Sequence, residues 1–161
     1  MNPTETPLVT HALVADSGLA RLLRVTGPRR HRVIEQVETF ERPSAHLRAH
    51  ELTTDRTGRV FESSGRSGTN ATHMRHGAAS DYDPHTIEIE HFVNRVVQRL
   101  EALHRAGELD AWVLIAEPRL LGVLRAHLPP DLHKLIVHEI SGDYIHADHE
   151  RILELVDSRG S

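Results

Sequence analysis

The sequence predicts an α/β fold in which helices flank a mixed central sheet. Three observations support this class. Short apolar segments separated by turn signals fill residues 9–40 and are typical of strands. Residues 84–106 then repeat apolar side chains at helical spacing. Two further apolar strands alternate with helices up to residue 156, and hairpins followed by crossovers indicate a sheet with parallel C-terminal strands.

An antiparallel meander is predicted over residues 8–41. Asp16-Ser17-Gly18 is a turn signal between two apolar segments, and Gly27-Pro28 interrupts the pattern again. The expected strands are residues 9–15, 19–25 and 31–40. Three strands joined by short turns place neighbours in sequence beside each other in the sheet.

The middle of the chain has the weakest pattern. A short helix is expected over residues 43–52, followed by a long mobile loop over 53–82. The loop contains four glycines and many Ser and Thr residues, and Phe61 is its one large apolar anchor. Loops of this length are usually functional or disordered, so we expect proteases to cut first within residues 65–80.

The strongest helix signal opens the C-terminal half, residues 83–158. Asp83 is a good N-cap, Pro84 suits the first helical position, and Gly107 ends the pattern. Buried strands are expected at 111–116 and 135–140. Further helices are expected from Pro118 to the Pro129-Pro130 break and over residues 147–156. We therefore expect all 161 residues to form one α/β domain.

Composition and charge narrow the function classes. The chain has no cysteine, which excludes disulfides, thiolate metal sites and a cysteine nucleophile. Residues 42–76 carry six Arg, three acids and four His, whereas residues 77–161 carry eight basic and fifteen acidic residues. A locally basic segment in an acidic protein can contact phosphates. The alternative is a solvated loop.

Targeting signals are not found. Residues 1–7 are polar, and the longest apolar run, residues 111–116, is too short to cross a bilayer. We expect a soluble cytoplasmic protein without a membrane partner.

Three blocks of the chain resemble the bacterial host attachment protein family. The first block is residues 12–23. The second runs from Leu52 through Asp55-Arg56-Thr57-Gly58-Arg59 to Ser63, and His76 and Asp83-Pro84 follow it. The third runs from Val113 through Pro118-Arg119-Leu120-Leu121-Gly122 to His146. The Asp-Arg-x-Gly-Arg and Pro-Arg-x-Leu-Gly patterns are the specific parts. Together the blocks cover nearly the whole chain.

The order of hairpins and crossovers is compatible with a ribonuclease H-like topology. The resemblance implies a fold similar to the middle domain of archaeal and eukaryotic peptide-chain release factors. In those proteins a Gly-Gly-Gln loop enters the peptidyl transferase centre of the ribosome. Residues 53–82 contain no Gly-Gly-Gln, and the two glutamines, Gln36 and Gln98, lie in other elements. The resemblance therefore implies a ribosome- or RNA-associated binding module that lacks release chemistry. It implies neither a cofactor nor DNA binding.

The candidate binding residues are Asp55, Arg56, Gly58, Arg59, Arg66, Arg75, His76 and Arg119. Arg56 and Arg59, together with loop amides, could hold a phosphate. Alternatively, Asp55 caps a turn and pairs with one of these arginines. Arg119 follows a buried strand at the start of a helix, where α/β sheets often bind ligands. It could equally pair with Asp143.

An enzyme is the competing class. Asp16 and Glu117 each follow a predicted strand, and carboxylates at strand ends can hold two magnesium ions for phosphodiester or ester hydrolysis. The alternative is that both residues serve local turns. Three or more carboxylates brought together would favour the enzyme.

Histidine spacing does not predict a metal site. Several of the fourteen histidines lie three or four residues apart, but so many produce such pairs by chance. Whether the protein is an enzyme stays undecided. A dimeric interaction protein, or another homo-oligomer, is also left open because it needs no sequence signature.

Overall fold

The computed structural model describes residues 8–44 and 83–158 of the chain. The strands are β1 (His11–Ala15), β2 (Leu19–Thr26), β3 (Val33–Glu41), β4 (Trp112–Ala116) and β5 (Ile136–Ser141). The helices are α1 (Pro84–Arg105), α2 (Pro118–His127), α3 (Pro130–Lys134) and α4 (His149–Asp157).

The strands form one mixed sheet in the order β3-β2-β1-β4-β5. β1 to β3 pair antiparallel as neighbours, whereas β1, β4 and β5 pair in parallel. β1 and β4 are buried along their whole length, which explains why their sequences are continuous apolar runs without alternation. The predicted α/β class, with a mixed sheet and parallel C-terminal strands, is confirmed.

Gly27 is required by the turn between β2 and β3. Its φ is +86°, a conformation that L side chains rarely adopt. An added Cβ would also lie 2.4 Å from the carbonyl oxygen of His31. This turn lies at the edge of the sheet where β1 begins.

Helices cover both faces of the sheet. On one face, Phe92 and Leu100 of α1 and Leu124 of α2 pack with Leu13 and Leu114. On the other face, Ile152 and Val156 of α4 pack with apolar side chains of β1, β2 and β4. Helices thus flank the sheet, as predicted, and the long helix α1 packs across one face.

α3 was not predicted from the sequence. Pro129 and Pro130 end α2, as expected, but Pro130 also begins α3 because its fixed φ suits the first helical position. The Nε1–H of Trp112 donates to the carbonyl oxygen of Leu132 at 3.0 Å and holds α3 against β4.

The start of the closing helix differs from its prediction, and the predictions for residues 45–82 cannot be compared with the structure. The closing helix begins at His149, two residues later than predicted, because Asp148 caps it. Beyond Ser44, the helix expected over residues 43–52 and the loop expected over 53–82 lie outside the described residues. Within residues 8–44 and 83–158, no helix is long and apolar enough to cross a membrane.

Candidate functional site

The candidate site lies where the parallel strands end, which we call the carboxyl edge. β1 continues into a hairpin toward β2, whereas β4 continues through α2 and α3 toward β5 on its other side. The backbone N–H of Glu117 donates to the Ala15 carbonyl at 3.2 Å, and that of Gly142 donates to the Ala116 carbonyl at 3.0 Å. Where the connections after two adjacent parallel strands run in opposite directions, a crevice forms between them. This crevice is a common ligand site in α/β proteins.

A groove of about 640 Å³ opens at this edge between the first turns of α1 and one side of α2. We call it the α1–α2 groove. Its apolar lining is Ile89, Leu120, Gly122, Val123 and Ala126. Its polar lining is Ser17, Asp83, His85, Thr86, Glu90, Glu117, Arg119 and His127. Its volume lies in the usual range for a ligand site.

Arg42 organises the side of the groove where β3 ends. Its side chain is 4% exposed, and its Nε donates to the Ser17 carbonyl at 2.7 Å. Its Nη1 lies 3.3 Å from Ser44 Oγ, 2.9 Å from His85 Nδ1 and 3.5 Å from Glu88 Oε2. The Ser44 hydroxyl also donates to the carboxylate of Glu88. Arg42 therefore joins the β1–β2 turn, the end of β3 and the start of α1.

The contact between Arg42 and His85 has a defined direction. A guanidinium has no acceptor, so His85 Nδ1 accepts the hydrogen bond from Arg42. His85 also lies in the groove lining. The charge of Arg42 is engaged inside the protein, so Arg42 is not one of the arginines that could meet an outside phosphate.

Asp16 has a local role. Its Oδ1 accepts hydrogen bonds from the backbone N–H groups of Gly18 and Leu19 at 2.8 and 2.7 Å. Glu117 is the N-cap residue of α2 but makes no side-chain cap bond, and its half-buried side chain lines the groove. In the part of the chain that the structure describes, no group of three or more His, Asp or Glu could hold a metal ion.

Arg119 is exposed at the start of α2 and lines the groove. No described carboxylate, Asp143 included, forms an ion pair with it. The first hydrogen bond of α2 runs from the Leu121 N–H to the Glu117 carbonyl, so the N–H groups of Arg119 and Leu120 have no partner within the helix. The other predicted binding residues are Asp55, Arg56, Gly58, Arg59, Arg66, Arg75 and His76, which all lie outside the described residues.

Sequence reasoning missed several residues of the groove. His127 Nδ1 donates to the Val123 carbonyl at 2.9 Å, which leaves its Nε2 as an acceptor when the ring is neutral. Arg42 and His85 are 43 positions apart, so no local pattern could have joined them. Gly122 did carry a signal, because it ends the Pro-Arg-x-Leu-Gly block.

A second hollow, of about 360 Å³, lies at the opposite edge of the sheet and is lined by Thr10, His11, Arg24 and Glu108 among others. His11 is buried, and its Nε2 has no hydrogen-bond partner among the described residues. Burial, and next the positive charge of Arg24, lower the pKa of His11 to about 4. This histidine is therefore neutral at physiological pH.

Residues 11–156 match the family model described as "Protein required for attachment to host cells". The match begins at the first residue of β1 and ends in the last turn of α4. No curated protein matches the chain.

Proposed function

The chain belongs to the family of proteins required for attachment to host cells, and we propose that it acts as a ribosome- or RNA-associated binding module. The family description names a phenotype and not a bound molecule. The proposed relationship to the middle domain of release factors suggests the ribosome as the partner. The absence of Gly-Gly-Gln from this sequence argues for binding without peptide release.

One structural observation carries the proposal. Ser44 and His85 stand close to the two ends of residues 45–82, and both contact Arg42 at the carboxyl edge. Residues 45–82 contain Arg56, Arg59 and three other arginines. The described residues next to both ends of this segment therefore lie at the edge that also holds the groove and exposed Arg119. Arginines attached to one edge of a folded sheet can act together on one polyanion.

The proposed contact is electrostatic. Arg56, Arg59, Arg66 and Arg75 would form one positive face toward RNA phosphates, with Arg119 adjacent to it. Phosphate contacts release condensed counterions, so the affinity should fall steeply as salt rises. Such contacts position a protein on RNA without reading its sequence.

A metal-dependent hydrolase is less well supported. Asp16 is engaged in the β1–β2 turn, and the described residues contain no metal-binding group for Glu117 to join. No observation on the described residues favours phosphodiester or ester cleavage.

The first prediction tests RNA association by co-sedimentation with ribosomes from lysate at low and moderate salt. The Arg56→Ala/Arg59→Ala variant should bind more weakly, and its log affinity should depend less steeply on log salt, by up to roughly 2 units of slope. Arg119→Ala should show a smaller loss of the same kind. The matched control is Arg29→Ala/Arg30→Ala, which removes two exposed arginines from the β2–β3 turn at the opposite edge.

The control should bind as the wild type does. If the wild-type protein stays in the supernatant at low salt, from both growing and starved cells, RNA association is wrong. Equal weakening by both double variants would mean that binding follows net charge alone. The carboxyl edge would then have no special role.

A further inference from the structure

Gly122, in the middle of α2, is unexplained by the folding of the described chain. Its φ is not positive, and apart from its chain neighbours and the adjacent backbone of α2, no described atom lies within 4 Å of a Cβ added to it. A glycine inside a helix is destabilising relative to alanine. Glycine also lets another molecule approach the backbone closely. Since no packing within the described residues requires it, Gly122 points to a partner that contacts the surface of α2.

The surroundings of Gly122 form an apolar strip. Ala126 lies one turn further along the same side of α2, and half-buried Val123 and Ile89 flank the strip. α2 has ten residues and is roughly 15 Å long, and Gly122 and Ala126 lie roughly 6 Å apart along it. An open groove between two helices, with more apolar than polar surface, suits an amphipathic helix that lays its apolar side into it.

The charged residues that line the groove favour a positively charged partner. Three carboxylates, those of Asp83, Glu90 and Glu117, line the groove against the single guanidinium of Arg119. Neither Glu90 nor Glu117 forms an ion pair with a described residue. A partner with basic side chains would therefore neutralise an excess of negative charge, whereas a polyanion would be repelled. This distinguishes the groove from a surface for RNA.

We propose that the α1–α2 groove binds an amphipathic helical segment of a partner protein. The apolar side of the segment packs over Gly122 and Ala126, and its Lys or Arg residues face Glu90 and Glu117. The groove interaction rests on its apolar and acidic lining, whereas the proposed RNA contacts rest on the arginines of residues 45–82. The two sites adjoin at Arg119, and the peptide experiment below tests the groove without RNA.

The second prediction tests the groove with the full-length protein and a fluorescein-labelled peptide of about fifteen residues, roughly four turns. Its Leu and Ala residues form one side of the helix and its Lys residues flank that side. A comparator replaces every Lys with Glu. Binding is measured by fluorescence anisotropy for the wild type, Gly122→Leu, Glu90→Lys and Glu35→Lys. Glu35 is an exposed carboxylate on β3, away from the groove, and serves as the charge-matched control.

The Lys peptide should bind the wild type and Glu35→Lys about equally, and the Glu peptide should bind at least roughly tenfold more weakly. Gly122→Leu fills the groove without changing charge and should weaken binding by roughly tenfold or more. Glu90→Lys should weaken it several-fold, more so at low salt. Leucine is a better helix former than glycine, so Gly122→Leu should unfold at no lower urea concentration than the wild type. That measurement separates lost binding from lost folding.

Three outcomes would overturn the proposal. In the first, the Lys peptide does not bind the wild type. In the second, Gly122→Leu binds it as well as the wild type does. In the third, Glu35→Lys weakens binding as much as Glu90→Lys does, which would show attraction to net charge and not to the groove.

Discussion

At the scale of single residues, His11 shows how burial and hydrogen bonding select one state of a titratable group. The Thr10 hydroxyl donates to the Ala111 carbonyl at 3.1 Å and accepts from the Asp110 N–H at 3.2 Å. Its one proton is thus engaged, so His11 Nδ1, 3.0 Å from the same oxygen, must be the donor. Nε2 is then an acceptor without a described partner, and protonating it would bury a positive charge near Arg24.

The third prediction follows from the pKa of His11, which is about 4 in the folded protein against 6.5 in the unfolded chain. Above pH 6.5 the residue is neutral in both states. Between these two values the unfolded chain binds a proton that the folded protein does not, so the free energy of unfolding falls as pH falls. The loss should be about 2 kcal/mol at pH 5 and should stop near the folded pKa, at roughly 3 kcal/mol.

Urea unfolding between neutral pH and pH 4 measures this effect in the wild type and in His11→Leu. The leucine variant should lose less stability over this range. His91→Leu, which removes an exposed histidine of α1, is the control and should follow the wild type. The same pH dependence in His11→Leu as in the wild type would show that His11 is not the group responsible.

At the scale of elements, the helix starts differ in how their free N–H groups are satisfied. Asp148 accepts a hydrogen bond from the Arg151 N–H at 2.8 Å and caps α4. α1 is capped by Asp83, which accepts from the His85 N–H at 3.1 Å. α2 begins after Glu117 without any side-chain cap bond. An uncapped helix start at the carboxyl edge leaves N–H groups available beside Arg119.

The fourth prediction uses this difference. Asp148→Ala should lower the free energy of unfolding by about 1 kcal/mol, because it leaves an N–H of α4 without its acceptor. Glu117→Ala should change it by less than about 0.5 kcal/mol. Thermal or urea unfolding of both variants provides the measurement. Equal losses would mean that Glu117 has a structural contact that its position does not show.

At the scale of the whole molecule, the centre of the sheet is buried from both sides. Leu114 and Ile115 are neighbours in β4 and are both 0% exposed. Leu114 belongs to the cluster under α1 and α2, and Ile115 to the cluster under α4. α4 is therefore as much a part of the core as the longer helices on the other face.

The fifth prediction compares these two neighbours. Leu114→Ala and Ile115→Ala should each lower the free energy of unfolding by about 2 to 5 kcal/mol, through lost burial and a residual cavity. Val33, 60% exposed on edge strand β3, is the control, and Val33→Ala should cost less than about 1 kcal/mol. If Ile115→Ala lowers the free energy of unfolding no more than the control does, the result would contradict the packing of α4 against the sheet. Urea midpoints suffice for the comparison.

Features that depend on neighbouring residues could be predicted from the sequence by itself. Asp83, Pro84 and Gly107 marked the limits of α1, because caps and breakers act within one turn of a helix. The apolar runs of β1 and β4 predicted buried strands, and the order of hairpins and crossovers predicted a mixed sheet. α3 escaped prediction because five residues are too few to show a helical period.

Only the tertiary structure decided which distant residues meet. It joined Arg42 to Ser17 and His85, and it opened a groove over Gly122 between α1 and α2. It also showed that the Asp16 carboxylate is engaged in its own turn. Periodicity and capping report on residues a few positions apart. Contacts across tens of positions depend on how the sheet orders its strands and where the helices pack, and no local pattern records either.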